Sequence, residues 1–258
     1  MRLLGNYGSP FVRRVGATLH LYGIPFDHAS LFTDEHRDEI TAHNPLGRIP
    51  ALVLDDGTAL ADSSAILDYL DETMGDAALT PRSGPDRRRV LALTALGLAI
   101  ADKYVAAYYE TTQRPASHLW QPWLDRLTAQ VNQGLAALEN QISGPYLAGD
   151  HLTQADVTAI CALDSIIFDM PALITGHAYP KLGALRDRAH SGACTVVLIT
   201  HKFREVTAFA DDVTVLRRGQ AVHHCAVAGT TPALLAQAMV GGAAEGAESA
   251  GPVTPVDA

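Results

Sequence analysis

Residues Asn44 to Leu70, NPLGRIPALVLDDGTALADSSAILDYL, leave few folds open to this chain. An apolar run from Ile49 to Leu54 meets Asp55-Asp56-Gly57 and then a second short run, Thr58 to Ala61. Glycine supplies the positive φ of a tight turn, so the two runs are expected to pair as a hairpin. Asp62 or Ser63 then occupies an N-cap position, and Ala65, Ile66, Tyr69 and Leu70 recur at the spacing of one helical face. A helix therefore starts at the hairpin's exit. Its first turn has unpaired N–H groups and the positive end of the macrodipole, which suits a small carboxylate on Ser63 and its neighbours. Asp62 beside it suits an ammonium group, and the two charges on one carbon define an α-amino-acid end. The same two residues also suit an ordinary helix cap.

Arg2 to Asn6 reads as a first strand, and Tyr7-Gly8-Ser9-Pro10 breaks it and opens a helix with Ser9 as N-cap. Phe11, Val12, Val15, Leu19 and Tyr22 keep a helical period up to Gly23. Pro25 to Leu31 reads as a strand and Thr33 to Ala42 as a polar helix. With the hairpin and its helix the order is βαβαββα, an α/β thioredoxin-like domain over residues 1–78. Leu79 to Pro85, LTPRSGP, has the composition of a linker. Helical patterns follow over Val90 to Thr112 and Trp120 to Gln141, broken by Pro115 and Pro122. Thr153-x-x-Asp156 is a capping-box pair for a further helix. A short helix after Tyr179-Pro180 completes an all-α domain over residues 86–190.

NPxGxIP, the hairpin, the acid-serine pair and the Thr153–Asp156 box together resemble the glutathione transferase family, over about residues 1–190. The resemblance implies a cis bond at Ile49-Pro50 and an Ile49 backbone that takes the cysteinyl part of glutathione as an added strand. It assigns Asp62 and Ser63 to the γ-glutamyl end, with Asp62 shorter than the Glu or Gln of many members. It makes Thr153 and Asp156 a buried structural cap, whose loss costs about 1 kcal/mol or more. Arg48, and Gln113 or Arg114, are candidates for the glycine carboxylate. Tyr104 and Tyr108, one helical turn apart, are candidates for an electrophile pocket between the domains. A homodimer is likewise implied.

The chemistry so implied needs an ionised thiol, because a free thiol near pKa 8.5 is only a few per cent thiolate at pH 7. A hydroxyl that donates to sulfur above the amides of a helix N-terminus favours the anion. Ser9 fits this role in the family's serine type, and Tyr7 is its rival in the tyrosine type. The expected function is therefore a glutathione transferase that joins glutathione, as co-substrate, to a small electrophile, in the manner of detoxification enzymes. The alternative is a glutathione-transferase-like binding or interaction module without turnover.

Beyond about Ala189 the pattern changes. Cys194 to His201, CTVVLITH, reads as a buried strand, Lys202 to Ala210 as a helix, Val213 to Leu216 as a strand and Thr231 to Val240 as a helix. Residues 191–241 resemble the end of the ATP-binding subunit of ABC importers, in which His201 would meet a γ-phosphate. The chain has no G-x-x-x-x-G-K-[ST] and no LSGGQ-like signature, so no ATP chemistry is expected. Residues 242–258, rich in Gly, Ala, Ser and Pro, read as a disordered tail.

Composition bounds the partners. Nineteen Lys and Arg against 28 Asp and Glu give a net charge of −9, which argues against nucleic acid and anionic lipid. Cys161, Cys194 and Cys225 show no metal-ligand spacing, and so sparse a set suits a reducing, cytoplasmic setting. The apolar run Leu91 to Ala101 is short of the roughly 20 residues of a membrane span, and the N-terminus lacks a signal-peptide pattern.

Overall fold

A strand of three residues, β1 (Arg2–Leu4), sits at the centre of the first layer because Leu3 and Leu4 are both buried and face opposite sides. The structure, a computed structural model, describes residues 1–190, 203, 206–207, 210, 212–217 and 220–240. After β1 come α1 (Pro10–Leu21), β2 (Asp27–Ala29), α2 (Arg37–His43), β3 (Ala51–Val53), β4 (Ala59–Ala61) and α3 (Ser63–Met74). The sheet order is β2-β1-β3-β4, with β2 parallel to β1 and the other pairs antiparallel. Leu3, Val12, Val15, Leu19, Leu52, Ile66, Leu67 and Leu70 form the core shared by the sheet, α1 and α3. Leu4, Leu31, Ile40 and Ala51 form the smaller core under α2. This is the βαβαββα order and the thioredoxin-like layer read from the sequence.

Several elements are shorter than the periodicity suggested. The first strand ends at Leu4 because Gly5 turns at φ +128°, where its amide bonds to the Ala29 carbonyl. A side chain at Gly5 would lie 2.7 Å from Val12 and 2.8 Å from Ile49, so only glycine fits there. Helix α1 ends in a Schellman arrangement, with Gly23 at φ +63° and the Ile24 amide on the Leu19 carbonyl.

The helical region contains α4 (Gly84–Thr112), α5 (Gln121–Gln141), α6 (Gln154–Asp169) and α7 (Pro180–His190). Helix α4 starts six residues before the expected Val90, since Pro85 fits its first turn. By length and composition α4 could cross a membrane. Its residues Val90, Leu93, Ile100, Ala101, Tyr104 and Ala107 instead join the core that includes Leu127, Leu135, Ala159 and Leu163. Thr18 of α1 bonds to the Gln154 side chain of α6, tying the helical region to the sheet layer. Asp156 is fully buried, and its carboxylate accepts from the Leu147 amide at 2.7 Å and the Thr153 amide at 2.8 Å. The Thr153 hydroxyl is the third donor, at 2.7 Å.

The chain divides into two units, Met1–Gly192 and Ala193–Ala258. In the second, β5 (Asp212–Arg217) and β6 (Gln220–Ala226) form an antiparallel hairpin, followed by α8 (Pro232–Val240). The expected strand over 213–216 and helix over 231–240 are therefore present. The partner strand β6 was missed because His223-His224 interrupt the apolar pattern of QAVHHCA. The expected strand over 194–201 with His201, most of the helix over 202–210, and the tail over 242–258 lie outside the described residues.

Candidate functional site

The exit of β4 sets the site. Asp62 stands at φ +72° and ψ 131°, a backbone region that L residues rarely occupy, and its carboxylate caps the Ser64 amide at 2.9 Å. Ser63, the first residue of α3, is buried. Behind it the guanidinium of Arg14, from α1, donates to the Ser63 Oγ at 3.4 Å. Burial pulls the Arg14 pKa down to about 10, so it remains a cation at neutral pH.

The loop between α2 and β3 is held by Asn44. Its Nδ2 donates to the Arg48 carbonyl at 2.8 Å, its Oδ1 accepts the Leu46 amide at 3.1 Å, and its carbonyl accepts the Gly47 amide at 2.8 Å. Gly47, at φ +63°, permits the turn. The loop delivers Arg48, Ile49 and Pro50 to the start of β3, and the Ile49-Pro50 bond is cis.

These pieces enclose one open cleft of about 220 Å³. Arg48, Ile49, Pro50, Asp62 and Ser63, all singled out from the sequence, line it together with Phe11, Asn44, Leu46, Ala61, Leu98 and Asp102. The wall thus combines one cation, two carboxylates, a buried hydroxyl on a helix N-terminus and apolar groups. Such a wall matches a ligand with both an amino-acid end and an apolar part.

Ser9 and Tyr7 have different settings. Ser9 is the N-cap of α1, is half-buried, and its hydroxyl makes no capping bond. Tyr7 stacks on His28 at 4.1 Å, and a side chain at Gly16 would lie 2.5 Å from its ring, so α1 packs directly against it. Burial pushes the Tyr7 hydroxyl above the usual phenol range. Neither residue is among those lining the cleft, although Phe11, two residues after Ser9, is.

Other candidates are placed elsewhere. Tyr104 is buried in the helical core with its hydroxyl on the Asp169 carboxylate at 2.5 Å, and Tyr108 packs beside it with ring centroids 6.4 Å apart. Arg114 pairs with Glu110 at 3.2 Å and Gln113 is the C-cap of α4. None of the four lines the cleft. Sequence reasoning missed Leu98 and Asp102, which are one turn apart on α4. The only local mark is that Asp102 is the acid that ends the apolar run from Leu91 to Ala101, which does not say that it faces the cleft. In the sequence Asn44 reads only as the first residue of NPxGxIP, with no part in the cleft wall assigned to it.

Comparison with known proteins agrees with this geometry. The profile of the glutathione S-transferase N-terminal domain matches residues 8–73, and that of the C-terminal domain residues 121–188. The uncharacterized GST-like protein YibF of Escherichia coli K12 is 30% identical over 168 residues, covering 65% of this chain and 83% of its own length. A glutathione transferase family member from Pseudomonas fluorescens Pf-5, solved with bound glutathione, is 34% identical with a TM-score of 0.68, covering 74% of this chain and 95% of its own. The glutathione S-transferase of Methylobacterium radiotolerans, in complex with glutathione sulfonate, is 26% identical with a TM-score of 0.70, covering 78% and 98%. This chain belongs to the glutathione S-transferase family.

Proposed function

We propose that the chain is a glutathione transferase that lowers the pKa of the glutathione thiol and delivers the thiolate to a small electrophile. The observation that carries the reading is the convergence of Ile49, Asp62 and Ser63, from two separate segments, on one cleft. Relatives solved with glutathione and with S-(propanoic acid)-glutathione, each 34% identical, support the same ligand class. In this reading the Ile49 backbone pairs with the cysteinyl unit, Asp62 takes the ammonium and Ser63 the carboxylate of the γ-glutamyl end. Arg48 meets the glycine carboxylate. Residues 1–78 hold glutathione, residues 86–190 supply the rest of the cleft, and Thr153 and Asp156 only hold α6. The ABC-like segment, 191–241, is assigned no ATP chemistry. Family resemblance further supports a cytoplasmic homodimer with a role in detoxification.

Ser9 is assigned as the activating group because it is the N-cap residue of α1 and its hydroxyl is not engaged in capping. The thiol proton passes to solvent, the Ser9 hydroxyl donates to the thiolate left behind, and a sulfur lone pair forms the bond to the electrophilic carbon while the leaving group departs with the electrons of the bond that breaks. An ultraviolet titration of the bound thiolate tests this: absorbance should appear well below pH 8.5 with wild type and near the free value with Ser9→Ala. The non-catalytic reading is favoured by one observation, that Ser9 does not line the cleft. It predicts binding with an unshifted thiol pKa.

A further inference from the structure

We infer that Arg14 is a positioning residue of the glutathione site: its buried guanidinium, behind Ser63 at the N-terminus of α3, makes that end of the cleft select the γ-glutamyl carboxylate. The inference rests on the functional reading above. It goes beyond the acid-serine pair, because Arg14 does not line the cleft and acts through Ser63.

Arg14 lies on α1 between Val12 and Val15, which belong to the main core of the sheet layer, and only 2% of its surface is exposed. Removing a guanidinium from water is costly unless a carboxylate faces it with several hydrogen bonds. Arg14 lacks that compensation among the described residues. Its Nη1 reaches the Ser63 Oγ at 3.4 Å, the long end of a hydrogen bond, and its Nε has no hydrogen-bond partner. Asp62 and Asp71 act on it electrostatically, but neither forms an ion pair with it. The fold therefore holds a cation whose natural counter-charge is not supplied by the side chains around it.

The open place for that counter-charge is the Ser63 end of the cleft. With Arg14 donating to the Ser63 oxygen, the hydroxyl proton of Ser63 is left to point outward as a donor. The first-turn amides of α3 add their partial positive charge at the same point. A carboxylate there meets a hydroxyl, helix amides and a full charge one residue deeper. The low dielectric around Arg14 strengthens that attraction relative to a surface arginine. Asp62, exposed at the rim, is left for the ammonium group of the same ligand.

The test measures affinity of the full chain by calorimetry for glutathione and for its analogue with 4-aminobutyrate in place of the γ-glutamyl residue, which lacks only the α-carboxylate. Wild type should prefer glutathione by about thirtyfold, in the range of a charge-assisted hydrogen bond. Arg14→Met should reduce the preference to about threefold or less, and Arg14→Lys, which keeps the charge, should restore at least tenfold. A purely structural arginine would weaken both ligands equally and leave the ratio unchanged. An unchanged ratio in Arg14→Met, or no recovery in a folded Arg14→Lys, overturns the inference while leaving the functional reading intact. If Arg14→Met does not fold, Arg14→Gln, which keeps a donor towards the Ser63 oxygen without the charge, decides. It should reduce the preference to about threefold or less, and a preference as large as that of wild type would overturn the inference. Wild type that fails to bind millimolar glutathione overturns the functional reading and this inference with it.

Discussion

The N-termini of α3 and α6 are built from the same residue types, an acid and a hydroxyl, and stand in opposite environments. At α6 the Asp156 carboxylate is fully buried and accepts from the Leu147 amide, the Thr153 amide and the Thr153 hydroxyl. At α3 the Asp62 carboxylate is exposed and, among the described residues, accepts from the Ser64 amide alone, on a backbone held at φ +72°. One set of lone pairs is saturated within the molecule and the other is presented to a cleft. What separates a structural cap from a binding cap is therefore whether internal donors fill the acceptor.

The largest effect should come from breaking the saturated end. Asp156→Ala leaves the buried Leu147 amide and the half-buried Thr153 amide without acceptors, each worth roughly 1–3 kcal/mol, so urea unfolding should show a loss of about 3 kcal/mol or more. That exceeds the expectation for a simple capping box, because burial is complete. Glutathione affinity of the folded fraction should be unchanged. A loss under about 1 kcal/mol would remove the contrast between the two ends.

At the open end of the molecule, steady-state kinetics should separate Ser9 from Tyr7. Ser9→Ala should lower kcat about thirtyfold, or about 2 kcal/mol, less than the strongest single-donor losses because the α1 amides remain. Its Kd for glutathione should stay within about threefold of wild type. Tyr7→Phe should keep kcat, since the Tyr7 ring packs on Gly16 and His28. The reverse result would make Tyr7 the activator.

A smaller change sharpens the comparison at α3 itself. Asp62→Asn keeps an oxygen for the Ser64 amide and removes the charge. It should raise the Kd for glutathione about fivefold while shifting stability by less than about 0.5 kcal/mol. A drop in Tm with no change in Kd would mean that Asp62 serves the helix and not a ligand.

The hairpin, the cap at α3 and the buried box at α6 were legible because each depends on neighbours in sequence. Gly57 marks the turn, Asp62 precedes a helical period, and Thr153 and Asp156 are three residues apart. Arg14 and Asp102 were not legible. Each meets the site through contacts between distant elements, and a charge on a helix gives the same local pattern whether the fold turns it inward, as with Arg14, or leaves it exposed, as with Asp102. The burial of Tyr104 in the helical core has the same origin. Spacing put Tyr104 and Tyr108 on one helical face but could not say which neighbour that face meets.

The smallest effect concerns a third acid, at the far end of α3 from Asp62. Asp71 is buried in the last turns of the helix, where the macrodipole disfavours an anion, and it accepts the hydroxyl of Tyr22. Burial raises its pKa above the usual carboxylate range, while the hydrogen bonds from Tyr22 and Thr80 oppose that shift. The folded state therefore binds this proton more tightly than the unfolded chain, whose Asp pKa is about 3.9. Between that value and the raised one, the folded state holds more protons, so stability from this site falls as pH rises. Above the raised pKa the penalty is complete and no longer changes with pH. Asp71→Asn keeps an acceptor for Tyr22 and removes the titration. Thermal unfolding across the acidic range should then show a wild-type Tm that gains less on going from low to neutral pH than the variant's does. Equal slopes in the two proteins would mean that the Asp71 proton is bound no more tightly folded than unfolded.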